Sequence, residues 1–322
     1  MNQEESQKYL LNIFLAGWCG DAAGAVLEFQ HRLFAREEVQ FAMHMHGGGG
    51  YLDLLPGQVT DDTQMELALL AALDAGADCD YFPTDRIAAN YIEWFESCPP
   101  DVGQTTLQAL CGAKTEDDMY QNAANDNDES LSNGSLMRCV PLAVVLMNKE
   151  PDVLRELVDL EVRLTHSHPI VSECTFLYCL VLGTLMKHRI GHTHAPDLFT
   201  LVQQHTTHPL IHEWIHTAEE MDTLVGYNCI QHEGWVKHAF IFFVFFLRHL
   251  ASYTYTEAME SVLMLGGDTD TNAKIIGNLF GAYYPGCVPT FMSAPVLALD
   301  QPGPFTVKKC ISYVDHIHIK SI

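Results

Sequence analysis

The sequence predicts an all-α protein that folds as a single domain, and three observations lead to this prediction. Several segments repeat their apolar residues with the period of an α-helix. Alternation of apolar and polar residues, which is typical of half-buried strands, is scarce. No segment rich in proline and serine divides the 322 residues, and no internal repeat is evident. The hydrophobic share of 48% is enough for a sizeable core.

Four segments carry the helical pattern most clearly. They occupy residues 64–75, 137–147, 172–188 and 236–252, and each reads as a buried or amphipathic helix. The most apolar run, AFIFFVFFL at 239–247, is much shorter than the roughly 20 residues of a membrane-spanning helix. We therefore expect that run to lie in the core of the protein.

Polar or glycine-rich segments predict the loops between these helices. Among all segments, residues 115–130, TEDDMYQNAANDNDES, most favour an exposed loop, and the glycine-rich residues 47–57 are predicted to form another loop. The histidine-rich residues 188–196 are also interpreted as a solvated loop, since their spacing does not resemble a zinc site.

The charge of the chain limits its partners. It carries 17 basic and 41 acidic side chains, which gives a net charge of −24. Such a field repels nucleic acids and anionic membrane surfaces, so we expect neither as a partner. A substrate that bears phosphates would need local positive charge from metal ions or from backbone N–H groups.

The termini and the cysteines predict a cytoplasmic location. The first residues, MNQEESQKYL, are polar and mostly acidic, unlike the flank of a signal peptide. The ten cysteines form no Cys-x-x-Cys pair, and we interpret them as buried free thiols. Free thiols are typical of a reducing compartment.

An acidic turn follows the apolar residues that end at Leu265. The sequence GGDTDT places Asp268 and Asp270 directly after Gly266 and Gly267 and before a helical pattern. Glycines permit backbone conformations that other residues resist, and side chains that offer only oxygen suit a hard cation. Because Asp and Thr also cap helices, an ordinary N-terminal cap is the alternative interpretation.

Another acidic turn, TDDT at residues 60–63, also precedes a helical pattern, so in chain order it is the first acidic turn and GGDTDT is the second. The consecutive Asp61 and Asp62 repel each other unless a cation lies between them, whereas a helix cap needs only one acceptor. If the two turns face each other across a helical bundle, they supply about six oxygen ligands without Cys or His. That ligand set favours Mg²⁺ or Mn²⁺ over Zn²⁺.

Three further segments carry candidate binding residues. Small residues in GDAAGAVLEF permit close backbone approach and lead to Glu28. The turn at Asn133 and Gly134 precedes a helical pattern, so its N–H groups could hold an anion, although an ordinary helix start is the alternative. His166 and His168 are two residues apart and do not share a helix face, so a zinc pair is not expected. A structural role is the default for either histidine.

Taken together and in this order, these motifs resemble the ADP-ribosylglycohydrolases. The resemblance rests on GDAAGAVLEF, GGGYLDLLPGQVTDDTQM, NGSLMR, THSHP and GGDTDTNAKIIGNLFGAYY and covers roughly residues 10–290. It is strongest to the branch that activates dinitrogenase reductase by removing ADP-ribose from arginine. Ala16 and Trp18 depart from the small residues usual before the first Gly-Asp pair, and Pro285 interrupts the usual small-residue ending.

The resemblance implies an all-α orthogonal helical bundle with a binuclear Mg²⁺ or Mn²⁺ centre in a central cleft. It implies that Glu28 is a mobile acidic residue that contacts the metals or the substrate, and that Gly47 to Gly50, which include Gly48 and Gly49, form a loop at the cleft. The metal ligands that it implies are Thr60, Asp61, Asp62, Asp268, Asp270 and Thr271. The substrate-binding residues that it implies are Asn133, Gly134 and Ser135 at the diphosphate and His166 beside the ADP-ribose.

The implied reaction is hydrolysis of the bond between the distal ribose and a guanidinium nitrogen. It passes through an oxocarbenium-like state, and either Asp62 or Asp270 could take the proton of the attacking water. The implied partners are an ADP-ribosylated protein and the product ADP-ribose, and we expect a monomer. Three alternatives remain: hydrolysis of serine-linked or other O-linked ADP-ribose, binding without catalysis, and a two-metal phosphohydrolase.

Overall fold

The fold is helical throughout the residues that the computed structural model describes, namely 1–48, 53–75, 81–194 and 196–316. Within these ranges there is no β-strand, and one isolated antiparallel bridge pairs Ser132 with Trp235. The predicted all-α class is therefore confirmed. The α-helices, in chain order, are α1 (Gln3–Gly24), α2 (Arg36–Met43), α3 (Asp61–Ala75), α4 (Thr84–Glu96), α5 (Gln104–Leu110), α6 (Glu116–Asp126), α7 (Val140–Val145), α8 (Pro151–Val162), α9 (Pro169–Ile190), α10 (Leu198–His205), α11 (Pro209–Glu219), α12 (Val236–His249), α13 (Tyr255–Leu263), α14 (Thr269–Tyr283), α15 (Thr290–Ala298) and α16 (Val307–His316).

The four helical segments predicted from periodicity are present, with one break. The predicted segments 64–75 and 172–188 lie inside α3 and α9, and the segment 236–252 is α12 followed by a 3₁₀ turn. The segment 137–147 is divided between a 3₁₀ turn (Leu136–Arg138) and the short helix α7. Pro141 lies in the first turn of α7, where its missing N–H costs no hydrogen bond.

The prediction of an exposed loop over residues 115–130 was wrong. Most of that segment forms α6, which begins with a capping box in which Thr115 and Asp118 satisfy each other's backbone N–H groups. Met119 and Ala123 are the apolar residues that α6 buries. Three of the six acidic side chains of this segment, Glu116, Asp117 and Asp118, lie in the first turn of α6, where the helix dipole favours negative charge.

The most extensive helix interface of the described structure joins α1 to α14. Their backbones approach closely because α1 offers glycine along this face. A Cβ atom on Gly20 would lie 2.4 Å from the carbonyl oxygen of Ala273, and one on Gly24 would lie 2.4 Å from the Cα of Asp270. Close contact here brings the start of α14 against the end of α1, next to the predicted site residues Glu28, Asp268 and Asp270.

The apolar helices α9 and α12 form much of the core. All of residues 239–247 are buried, as predicted. By length and composition α9 could cross a membrane, but 89% of its most apolar window is buried inside the molecule, as in a core helix. Six of the nine described cysteines are buried and all nine are free. The prediction of buried thiols does not hold for Cys98 and Cys111, which are exposed, or for Cys287, which is half-buried.

Candidate metal centre and substrate cleft

The two acidic turns meet at the starts of α3 and α14. The Thr271 hydroxyl lies 3.2 Å from Asp62 Oδ2, and the Thr60 hydroxyl lies 3.4 Å from Asp270 Oδ2. Each turn thus contacts a carboxylate of the other across more than half of the chain. The six residues implied as metal ligands are all buried at this junction: Thr60, Asp61, Asp62, Asp268, Asp270 and Thr271.

Two glycines make the second turn possible. Gly266 and Gly267 have φ angles of +70° and +76°, in the left-handed region that favours glycine. A Cβ on Gly267 would also lie 2.6 Å from the carbonyl oxygen of Cys229. The turn is therefore fixed by its neighbours as well as by its own conformation, and it sets the direction in which α14 begins.

Helix capping does not explain the carboxylate of Asp268. Asp268 occupies the N-cap position of α14, but its side chain makes no capping hydrogen bond. Its Oδ2 accepts a hydrogen bond of 2.7 Å from Asn133 Nδ2, while its Oδ1 is buried and has no partner among the described residues. Asp62 Oδ1 is buried and unpartnered in the same way. Buried oxygens of this kind are costly unless a further group satisfies them.

The carboxylates in this site oppose one another's ionisation. Burial raises the pKa values of Asp61, Asp62 and Asp270 well above their usual range, and neighbouring carboxylates raise them further. Burial, together with the charge of Asp268, raises the pKa of Glu28 to about 10. Such a cluster is stabilised in its ionised form by a cation.

The described residues fit divalent cations of the magnesium type. The donors that converge here are carboxylate and hydroxyl oxygens, and at least two of those oxygens lack a protein partner. Single carboxylate oxygens of Glu28, Asp101 and Asp270 also lie within 4.8 Å of one another. The assignment of individual ligands stays a prediction.

The sequence analysis did not identify Asp21, which organises the first acidic turn. Asp21 is fully buried in α1 and accepts hydrogen bonds from the backbone N–H and the hydroxyl of both Thr60 and Thr63. These four donors hold the turn against α1. The available signal was a lone carboxylate within a run of small and apolar residues, which must be buried and therefore partnered.

Asp101 is the second acidic residue that the sequence analysis missed. It lines the cleft beside Gly103, whose backbone N–H donates to Asp61 Oδ2 at 3.3 Å. Burial and the charge of Asp268 raise the pKa of Asp101. Its position in a loop between α4 and α5, with no neighbouring acidic residue in sequence, offered no local signal.

The acidic residues open into a cleft of about 230 Å³, which adjoins a wider and more apolar cleft of about 610 Å³. Phe29, Ser132 and Gly234 line both. The inner cleft is lined by Glu28, Phe29, Asp61, Asp62, Asp101, Gly103, Gln104, Thr105, Thr106, Ser132, Asn133, Gly134, Met137, Gly234, Asp268 and Thr271. The outer cleft adds Leu131, His232, Glu233 and Trp235.

The predicted substrate-binding residues occupy different positions relative to the inner cleft. Asn133 and Gly134 line it. Ser135 is fully buried, and its hydroxyl pairs with the hydroxyl of Thr175 at 2.7 Å. Gly48 donates its N–H to the Leu54 carbonyl and is not among the described residues that line the cleft, whereas Gly49 lies outside the described residues.

His166 lies behind the cleft wall and contacts residues that form it. Its Nε2 pairs with the Ser132 hydroxyl and its Nδ1 with the Thr165 hydroxyl, each at 2.7 Å. Burial, together with the nearby charge of Arg138, lowers the pKa of His166 well below its usual range, which favours the neutral ring. It is therefore placed to orient Ser132. His168 caps α9 by accepting from the Ile170 N–H, which is a structural role.

Comparison with known proteins agrees with the resemblance seen in the sequence. The family model for ADP-ribosylglycohydrolase matches residues 3–300. The chain is 30% identical over 280 residues to the ADP-ribosyl-[dinitrogen reductase] glycohydrolase of Rhodospirillum rubrum, covering 85% of each protein. It is 29% identical over 304 residues to a protein of Acanthamoeba polyphaga mimivirus that bears the name of an ADP-ribosyl glycohydrolase, covering 89% of this chain and 90% of that one. A solved structure titled as an ADP-ribosylglycohydrolase-related protein complex shares the fold, with a TM-score of 0.67, 24% identity, and coverage of 92% of this chain and 98% of that one.

Proposed function

This chain belongs to the ADP-ribosylglycohydrolase family, and on that premise we propose that it removes ADP-ribose from arginine side chains of modified proteins. Family membership gives an ADP-ribosyl glycohydrolase with an ADP-ribosylated protein as substrate and ADP-ribose as product. The arginine linkage is the finer proposal. Its support is the resemblance to the branch that acts on arginine and the similarity to the Rhodospirillum rubrum protein named for dinitrogen reductase.

The observation that carries the catalytic proposal is the convergence of the two acidic turns. The contacts of Thr271 with Asp62 and of Thr60 with Asp270 bring the two turns together, and the inner cleft beside them is lined by carboxylates of both turns, namely Asp61, Asp62 and Asp268. A protein that only bound ADP-ribose would have no need for so many buried carboxylates, each costly to ionise. A hydrolase can use them to hold cations and to stabilise positive charge on the sugar.

We propose that two divalent cations, Mg²⁺ or Mn²⁺, are held by the two turns. The ligands would be Thr60, Asp61, Asp62, Asp268, Asp270 and Thr271, which offer only oxygen. Cations in such a site supply Lewis-acid stabilisation and lower the pKa of water.

The residues of this chain have separate tasks in that proposal. Hydrolysis takes one proton from the attacking water and supplies one to the departing guanidine nitrogen. Asp62 and Asp270 are the candidates to accept the first proton. Carboxylate oxygens of Glu28, Asp101 and Asp270 lie within 4.8 Å of one another, and we assign Glu28 and Asp101 the task of passing the proton on through a bridging water. The anionic wall stabilises the oxocarbenium-like state, whose charge is positive.

The remaining walls suit an ADP-ribose group. Asn133 and Gly134 would lie at the diphosphate, and His166 would act on the substrate through Ser132. A cytoplasmic location, a monomeric state and the absence of nucleic-acid or membrane partners stay predictions from the sequence.

The experiment is a comparison of linkages and products. Peptides that carry ADP-ribose on arginine or on serine are incubated with the protein and Mn²⁺ or Mg²⁺, and products are separated by chromatography and identified by mass. We expect free ADP-ribose from the arginine peptide. Release only from the serine peptide would move the activity to the O-linked alternative, AMP would indicate a phosphohydrolase, and tight binding without any product would indicate a binding protein.

A further inference from the structure

A buried lysine contacts the first acidic turn from within the helical core. Lys274 lies one turn of α14 after Asp270, and its side chain is fully buried. Its Nζ lies 3.1 Å from the Thr63 hydroxyl and 3.1 Å from Glu66 Oε2. Neither Lys274 nor Glu66 is among the described residues that line the cleft, so neither is placed to touch the substrate.

The contact with Lys274 fixes where the hydroxyl hydrogen of Thr63 points. An ammonium group has only donors, so the Thr63 oxygen must accept from Lys274. The single hydrogen of Thr63 is then directed to Asp21 Oδ2, which lies 2.5 Å away. The single hydroxyl hydrogen of Thr60 lies between two acceptors, Asp21 Oδ1 at 3.0 Å and Asp270 Oδ2 at 3.4 Å, and the shorter contact, to Asp21, leaves the Thr60 lone pairs for the proposed cation. Lys274 and Asp21 thus orient the Thr63 hydroxyl between them, and Asp21 connects it to Thr60, a predicted metal ligand.

The charge of Lys274 also acts on the carboxylates around it. Burial raises the pKa values of Asp21 and Asp62, and the ammonium group of Lys274 opposes that rise at both. Glu66 is held against Lys274 by the Trp18 indole, whose Nε1 donates to Glu66 Oε2 at 2.7 Å. Lys274 is therefore itself fixed by a partner that does not reach the cleft.

We propose that Lys274 is a positioning residue for the metal centre. Through Thr63 and Asp21, it holds Thr60 and the two carboxylates that follow Thr60 in the geometry that binds the metals. The inference rests on the metal centre of the proposed function. The competing explanation is that Lys274 and Glu66 form a purely structural ion pair, in which each buried charge compensates the other. The two explanations differ in whether the contact with Thr63 carries the effect.

The test measures Mn²⁺ binding to the metal-free full-length protein by titration calorimetry. Three variants are compared with the unaltered chain: Glu66→Gln, the double variant Lys274→Met/Glu66→Gln, and Thr63→Val, which removes the hydroxyl but keeps the ion pair. Circular dichroism and thermal unfolding report whether each variant folds. We expect Glu66→Gln to bind Mn²⁺ within about twofold of the unaltered chain, and the other two to bind roughly 10- to 100-fold more weakly, as losses behind metal ligands typically do.

Each outcome decides between the explanations. Unchanged Mn²⁺ affinity in the folded double variant would overturn the proposal, even if its unfolding temperature fell, because a merely structural role predicts that pattern. If Glu66→Gln alone weakened Mn²⁺ binding as much as the double variant does, the effect would belong to the ion pair, and the proposal would be overturned as well. If the double variant does not fold, Thr63→Val decides, and unchanged binding there overturns the proposal. Absence of Mn²⁺ binding to the unaltered chain would instead overturn the metal centre itself, so the two failures are distinguishable.

Discussion

Thr60 donates both its backbone N–H and its hydroxyl to Asp21, at 3.1 and 3.0 Å. Asp62, two residues further along the chain, is held differently, because its Oδ1 has no hydrogen-bond partner among the described residues. The two buried carboxylates therefore have separate roles. Asp21 is satisfied by the protein and fixes the turn, whereas Asp62 has an unpartnered oxygen that the proposed cation would satisfy.

This difference predicts opposite effects of amide substitution on the metal-free protein. Burial and the nearby charge of Asp21 raise the pKa of Asp62, so an ionised Asp62 destabilises the metal-free fold. Asp62→Asn removes this carboxylate, and we expect the free energy of unfolding to rise by about 1 kcal/mol or more. Asp21→Asn replaces one acceptor oxygen with an NH₂ donor, which then faces the N–H and hydroxyl donors of Thr60 and Thr63. We therefore expect the free energy of unfolding to fall by roughly 1–3 kcal/mol.

Urea unfolding in the presence of EDTA, followed by circular dichroism, measures both changes. The exposed Asp222→Asn serves as the matched control and should leave stability unchanged. Destabilisation by Asp62→Asn to the same extent as by Asp21→Asn would contradict the assignment of separate roles.

Activity should respond to Asp62 in the opposite sense from stability. Asp62→Asn and Asp268→Asn each remove a proposed ligand charge, so we expect turnover to fall by roughly 10²-fold or more in proteins that remain folded. Release of ADP-ribose under saturating Mn²⁺ measures this, with Asp222→Asn as the control. Full activity in either variant would remove that residue from the metal centre.

Glu28 should affect turnover more than folding. It is buried at the cleft with a carboxylate oxygen within 4.8 Å of one of Asp270, and in the proposed mechanism its carboxyl group carries a proton. Glu28→Gln keeps the size of the side chain but cannot carry that proton, so we expect turnover to fall by roughly 10²-fold with unchanged helix content. Glu37→Gln, at an exposed position of α2, is the matched control. Unchanged kinetics for Glu28→Gln would make Glu28 a bystander.

The part of this site that the sequence could predict is the part with a local signature. The turns of Asp61–Asp62 and Asp268–Asp270 combine clustered carboxylates with the start of a helical pattern, and both signals lie within a few residues. Asp21, Asp101 and Lys274 have no such neighbours. Their partners are distant in sequence, so only the folded chain shows what satisfies them.

The helices show the same division between local and distant causes. Apolar residues at helical spacing predicted α3, α9 and α12 because most residues of these helices are buried in the core. The polar composition of α6 hid a capping box at Thr115 that was present in the sequence. The small residues of α1 predict that another backbone approaches it closely, but the sequence does not identify α14 as the helix that does so.

Removal of divalent cations should inactivate the protein reversibly. Because the proposed ligands offer only oxygen, we expect EDTA to abolish release of ADP-ribose, and an excess of Mn²⁺ or Mg²⁺ to restore it. EDTA already saturated with Mg²⁺ is the control for effects of the chelator itself. Reactivation by Zn²⁺ alone would contradict the ligand argument, and full activity in EDTA would contradict the metal centre.

A substitution at Gly24 should damage the metal centre although this residue offers no side chain to it. A Cβ on Gly24 would lie 2.4 Å from both the N and the Cα of Asp270, and backbone atoms cannot rotate away as a flexible side chain can. Gly24→Ala must therefore separate the end of α1 from the start of α14, at a cost of typically 1–3 kcal/mol for overpacking. The same shift moves Asp270 away from Thr60, so we expect weaker Mn²⁺ binding together with the loss of stability.

Gly103→Ala is the matched control for stability, because a Cβ there meets no described atom within 4 Å and its φ is not positive. Thermal unfolding and titration with Mn²⁺ measure the two effects, and a Gly24→Ala protein that lost stability but bound Mn²⁺ normally would show that the contact of α1 with α14 does not position Asp270.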